Sequence, residues 1–218
     1  MAKKIVFLGG GPGGYVGALK AAKMGADVTV VEKDNVGGTC LNRGCIPTKA
    51  LLACSDVLTN INEAKAFGIS IEGEVKSDIA LMMDRKDKIV ERMVSGIEFL
   101  FNKGNVKLVR GTGKITGKDE ITVTRDDKTS EAIKADAIVI GTGSSPAQIP
   151  IFPYDGKKVI TSDEALNLRS VPKTMIIVGA GVIGCEFGMF FNNLGTSINI
   201  VEMMDHALPL EDREMGKE

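Results

Sequence analysis

The 218 residues are 44% hydrophobic and 25% charged, enough apolar material for one large core or two modest ones without disulfide staples. Twenty-seven Lys and Arg against 28 Asp and Glu leave a net charge of -1, and with no Trp and two Tyr this argues against nucleic acid or an anionic membrane as the main partner. Four cysteines over this length argue against a secreted disulfide scaffold and for a reducing, cytoplasmic setting, and no apolar run is long enough for a secretory signal or a membrane span.

In chain order the first unit is residues 3–32, KKIVFLGGGPGGYVGALKAAKMGADVTVVE. An apolar run predicts a buried strand, Gly9, Gly11 and Gly14 form a G-x-G-x-x-G turn, a helix-length stretch closes at Gly25, and a second apolar strand ends at Glu32. The first glycine allows the tight turn, the second lets backbone approach a pyrophosphate, and the third lets the helix pack on the strand. Phosphate charge would meet the unpaired N–H groups at the positive helix end, while Glu32 accepts from an adenosine ribose hydroxyl. This is the pattern of a dinucleotide-binding βαβ unit.

GGTCLNRGCIPTK follows at residues 37–49. Gly37 and Gly38 let the chain pass close to a bound cofactor, and Cys40 and Cys45 stand on opposite sides of a bend entering a helix. A structural zinc needs four ligands, and the other candidates, Cys54, Cys185 and His206, are scattered, so no metal site is expected. An inert core role fits poorly with the flanking Gly, Asn, Arg and Pro. Redox exchange fits better, with one thiol meeting a disulfide substrate and the other passing electrons to a flavin. Cys54 and Cys185 read as small buried hydrophobes and His206 as an ordinary loop residue.

Helices are expected over about 46–66, with Pro47 in the first turn, and over about 77–103, where Ile79, Met83, Val90, Ile97 and Phe101 recur at helical spacing. Ser77 or Asp78 caps the second of these and Gly104 ends it. The runs VKLVRG, GKIT, EITVT and DAIVI predict a small β-meander feeding a buried strand, which ends in a second close turn at Gly141, Thr142 and Gly143. Pro146, Pro150 and Pro153 mark a connector. Residues 174–202, TMIIVGAGVIGCEFGMFFNNLGTSINIVE, then repeat the first unit: Gly179, Gly181, Gly184, Gly195 and Glu202 each stand 170 positions after their counterparts. An acid at Glu202 repels a 2'-phosphate, so this second site should prefer NAD to NADP.

The cysteine stretch and the two nucleotide fingerprints together resemble the flavoprotein disulfide reductase family over essentially the whole chain. LNRGCIPTK, with TSDEAL at 161–166, resembles its lipoamide branch more than its glutathione or mercuric reductase branches. The resemblance implies an α/β fold of two Rossmann-like units, three-layer ββα with a small β-meander and the second unit truncated. It places a FAD-binding domain with the redox cysteines over 1–148 and a partial NAD-binding domain over 149–218. FAD would be held by Gly9, Gly11, Pro12 and Gly14, by Glu32 and Lys33 at the adenosine, by Gly38, Thr39 and Cys40, by Lys49 near the flavin ring, and by Gly113, Thr142, Gly143 and Ser144. NAD would be held by Gly179, Gly181, Val182, Ile183 and Gly184 on the pyrophosphate and Glu202 on the ribose.

The same resemblance implies a redox-active disulfide between Cys40 and Cys45, the first meeting substrate and the second contacting flavin, with Lys49 and Glu186 paired to steady reduced flavin. The implied reaction is oxidation of protein-bound dihydrolipoamide to lipoamide, with electrons passing through the disulfide and FAD to NAD. The implied partner is a lipoyl domain of a 2-oxoacid dehydrogenase or glycine cleavage complex, and the full-length protein would be a homodimer. Family members continue for roughly as long again, with an interface domain and a His–Glu base, so the chain is expected to be an N-terminal portion, inactive alone. The alternatives are a non-catalytic FAD-binding module, against which the intact cysteine pair speaks, and another disulfide reductase of the same family, glutathione or mercuric reductase-like.

Overall fold

The computed structural model describes residues 2–217 and shows two compact units, residues 2–46 with Ile89–Ala147 and Pro47–Lys88 with residues 148–217. In the first, strand β1 (Lys4–Leu8), helix α1 (Pro12–Lys23) and strand β2 (Asp27–Glu32) make a βαβ layer in which β1 and β2 run parallel. Pro12 sits at the start of α1, where its missing N–H is one the helix leaves unpaired anyway. Short helix α2 (Gly38–Arg43) comes next, followed by α3 (Cys45–Glu63), which a 3-10 turn over Ala64–Phe67 ends, and by α4 (Ile79–Lys103).

Five strands follow: β3 (Lys107–Arg110), β4 (Thr112–Gly117), β5 (Glu120–Thr124), β6 (Ser130–Lys134) and β7 (Ala137–Ile140). Strands β3, β2, β1 and β7, in that order, form a four-stranded parallel sheet, while β4, β5 and β6 form an antiparallel meander. Side-chain alternation sorts the core of this unit. Phe7, Val28 and Val30 meet Ala18 of α1 with Ile97 and Phe101 of α4. Val6, Leu8, Val31 and Val109 meet Ile121 and Val123 of β5. A parallel sheet covered on both faces needs apolar residues at both parities, as IVFL and VTVV supply.

Four details depart from the expectation. VKLVRG lies at the edge of the parallel sheet instead of in the meander, because both Leu108 and Val109 have apolar surface to meet, one on each side. The meander's third strand, SEAIK, is too polar to announce itself, and of its residues Ile133 packs on the core. Strand β7 is the other edge, with Val139 and Ile140 exposed. At the end of α4 the left-handed position is taken by Asn105 (φ +53°), whereas at Gly104 an added Cβ would come within 3.3 Å of Leu19 Cδ2.

The second unit is built on α3, the start of α4, a short helix α5 (Ser162–Ala165), and a second βαβ layer of β8 (Thr174–Val178), α6 (Val182–Asn193) and β9 (Ser197–Val201). Strands β8 and β9 pair in parallel. Of the two candidate caps for α4, Asp78 serves: its Oδ1 accepts from the N–H groups of Ala80 and Leu81. Thr161 and Glu164 form a capping box on α5. The core joins Leu51, Ile79, Met83, Ala165 and Leu166 to Phe187, Phe190 and Phe191 of α6, the last two edge to face at 5.0 Å. Buried Lys86 is satisfied by donating to Leu166 O at 2.8 Å and pairing with Asp87 at 2.7 Å.

Candidate dinucleotide and dithiol sites

Each βαβ layer ends its first strand in a glycine loop that leads straight into a helix. A Cβ at Gly14 would lie 1.9 Å from Gly9 O, and one at Gly184 would lie 2.1 Å from Gly179 O, so in both copies the third glycine is required by helix–loop contact. Neither α1 nor α6 has a side-chain cap or an acidic residue in its first turn. Apart from Gly14 N–H, which donates to Gly11 O at 2.8 Å, the first-turn N–H groups are left to an anion. Val182 and Ile183 are exposed at the start of α6.

The acids do more than sequence spacing foretold. Glu32 is buried, with Oε2 accepting from Gly10 N–H at 2.7 Å and Oε1 from Asp34 N–H at 2.9 Å. Glu202 repeats the pattern 170 positions on: Oε2 accepts from Ala180 N–H at 2.7 Å, and Oε1 from Met203 and Met204 N–H at 2.8 and 2.9 Å. The N–H of Met204, then that of Ala180, holds the Glu202 carboxyl below its ordinary value of 4.5. An ionised carboxylate is acceptor-only, with lone pairs left for the hydroxyls of a ribose. Each acid is thus also a strut that fixes its own glycine loop.

The cysteine turn lies against the first of these loops. Gly38, at φ +61°, packs so closely that an added Cβ would come 2.6 Å from Gly11 Cα. Thr39 is exposed, Cys40 half-buried on α2, and Cys45 exposed as the first residue of α3. Between them a Cβ at Gly44 would lie 3.2 Å from Cys40 Cα, so the chain doubles back over Cys40 immediately before Cys45. Asn42, which residue-type reasoning passed over, donates from Nδ2 to the carbonyls of Asn35 and Val36 in the entering loop and of Gly38 at the start of α2. Arg43 pairs with Asp34 at 2.6 Å.

Of the remaining predicted residues, Lys33 is exposed and Gly113 owes its missing side chain to packing, since a Cβ there would meet Leu8 at 2.3 Å. Thr142, Gly143 and Ser144 are exposed beyond β7. In the second unit Lys49 Nζ donates to Glu186 Oε1, an ion pair joining α3 to α6. Cys54 and Cys185 are half-buried instead of fully buried, their Sγ atoms bonded to Ala50 O and Ala180 O. His206 lies in the loop after β9 with Nδ1 against Asp205. Among the described residues no three His, Cys, Asp or Glu converge as metal ligands would, and no helix is long and apolar enough to cross a membrane.

The chain is 43% identical over 217 residues to the dihydrolipoyl dehydrogenase of Acholeplasma laidlawii, an alignment covering 97% of this chain and 63% of that protein. It is 44% identical over 215 residues to the mitochondrial dihydrolipoyl dehydrogenase of Dictyostelium discoideum, covering 98% and 44%. Among solved structures it superposes on LpdA of Mycobacterium tuberculosis with a TM-score of 0.90 at 27% identity, covering 99% of this chain and 48% of that one. It superposes on the HOCl-induced flavoprotein disulfide reductase RclA of Escherichia coli with a TM-score of 0.82 at 26% identity, covering 100% and 46%. The chain spans about half the length of most curated relatives it matches. The sequence profile of one family matches residues 3–218, a stretch that takes in both glycine loops, both acids and the cysteine turn: the chain belongs to the pyridine nucleotide-disulphide oxidoreductase family.

Proposed function

We propose that this chain is the nucleotide-binding and dithiol-bearing portion of a dihydrolipoyl dehydrogenase, with FAD at the first glycine loop and NAD at the second. The observation that carries the reading is the packing of Gly38 on Gly11, which sets the Cys40–Cys45 turn beside the first dinucleotide loop. The residues fit the cofactors: uncapped helix N-termini for pyrophosphate, and the strut carboxylates of Glu32 and Glu202 for ribose hydroxyls. FAD, when bound, supplies two-electron exchange between a dithiol and a nicotinamide.

The protein's own part is thiol–disulfide exchange. With Cys40 and Cys45 joined, a thiolate of dihydrolipoamide attacks the Cys40 sulfur, the S–S bond breaks, and Cys45 leaves as the thiolate. The second substrate thiol then displaces Cys40 from the mixed disulfide. Lipoamide leaves oxidised, two protons go to solvent, and two electrons rest on the cysteine pair. Lys49, one helical turn past Cys45 on α3 and paired with Glu186, would supply positive charge to a bound flavin. The names of the relatives support a dihydrolipoyl group as substrate; a lipoyl domain as its carrier, a cytoplasmic setting and a homodimer of the full-length protein complete the proposed reading.

Absorbance of the purified chain and thiol titration before and after dithionite test this. Flavin absorbance with two thiols gained on reduction is expected. A colourless protein with an unchanged thiol count overturns the reading, and a yellow protein whose thiols do not respond reduces it to a FAD-binding module.

A further inference from the structure

Asn42 stands between the two cysteines and takes no part in the exchange just described. Its Nδ2 donates to the carbonyl oxygens of Asn35 (3.3 Å), Val36 (3.1 Å) and Gly38 (3.0 Å), so two N–H groups are shared among three acceptors, two in the loop that enters α2 and one on the first residue of α2. Its Oδ1 is buried with no partner. An orphaned buried oxygen is costly, so what the donor side holds must outweigh it. Asp in this place would turn a carboxylate toward three carbonyls, and a residue without N–H would leave them unheld. The loop so gathered carries Gly37 and Gly38, the residues that set α2, and hence Cys40, against Gly11.

We propose that Asn42 is a positioning residue for the Cys40–Cys45 pair. One amide ties the entering loop to α2 and holds the Cys40 sulfur where the Gly44 bend returns Cys45 toward it. The consequence is thermodynamic. A fixed loop keeps the two thiols at bonding reach while reduced, whereas a loosened loop lets them part, and closing the disulfide must then also order the chain. This inference rests on the redox reading of the pair.

The test is the equilibrium between the 218-residue chain and glutathione. The two thiols give two electrons and two protons to glutathione disulfide, forming the Cys40–Cys45 bond and two reduced glutathiones. Thiol trapping with peptide mapping confines the reading to Cys40 and Cys45. Asn42→Ala is expected to lower the constant for disulfide closure about tenfold, or ~30 mV for this two-electron couple. Val123→Ala, a cavity in the other core of this unit, built on Val6, Leu8, Val31, Val109 and Ile121, should lower Tm while leaving the constant unchanged. Should Asn42→Ala not fold, Asn42→Ser, whose hydroxyl still reaches the Gly38 carbonyl one turn back, is expected to shift the constant about threefold. An unshifted constant in the folded Asn42 variant, or equal shifts in the Asn42 and Val123 variants, overturns the proposal. A wild-type chain that never closes the disulfide across the titration overturns the redox reading and the proposal with it.

Discussion

Glu32 and Glu202 each engage backbone N–H groups with both carboxylate oxygens, one toward the glycine loop and one toward the turn that follows the strand. The folded Glu202 carboxyl titrates below its ordinary 4.5, so its stabilising contribution is complete above that pH and is lost as pH falls through the folded value. The protection of the Ala180, Met203 and Met204 amides, taken relative to intrinsic exchange at each pH, should accordingly fall below about pH 4.5, while amides of the phenylalanine core keep theirs. Gly14 sets a steric limit on the first loop. Gly14→Ala pushes a methyl to 1.9 Å from a backbone oxygen that cannot retreat, and a loss of about 3 kcal/mol or more in urea unfolding is expected. Asn42 shows what residue type alone conceals: an Asn inside a Cys-containing motif looks like filler until its three acceptors are placed around it.

At the level of elements, boundaries written in capping chemistry were legible. Asp78 opens α4 and Pro47 lies in the first turn of α3, as the helix rules require. Strand partnership was not legible, because KLVR carries the same β-type pattern whether it joins a meander or extends a parallel sheet, and its neighbour β2 lies some 80 positions back. SEAIK was missed because a strand needs only the one apolar residue that meets the core when its other face is wet. The ion pair between α3 and α6 gives a prediction at this scale. Lys49 is largely exposed, so Lys49→Met should cost less than about 1 kcal/mol of stability. It should nonetheless slow reduction of bound flavin by NADH in rapid-mixing absorbance. Unchanged kinetics would remove Lys49 from the electrostatics of the cofactor.

Across the whole molecule the two βαβ layers share one local design and differ in what covers it. Val6, Leu8 and Val31 are buried beneath the meander, whereas Ile176, Val178 and Val201, their counterparts 170 positions on, are 71%, 48% and 56% exposed. Matched substitutions make the contrast measurable. Val6→Thr, which buries a hydroxyl, should cost about 1–3 kcal/mol, while Ile176→Thr should stay within about 0.5 kcal/mol and lower the binding of a hydrophobic dye. By itself the amino-acid sequence determined the two strand–glycine loop–helix–strand–acid units and the placement of a cysteine pair behind the first. Each is a matter of spacing over thirty residues or fewer, where backbone geometry and the reach of one turn leave little choice. Tertiary structure alone decided which strands share a sheet, that Gly113 is bare for Leu8 and not only for a ligand, and that Asn42 gathers the loop before α2. Those outcomes depend on which surfaces meet once the chain has folded, and no local period in the sequence encodes the identity of a distant partner.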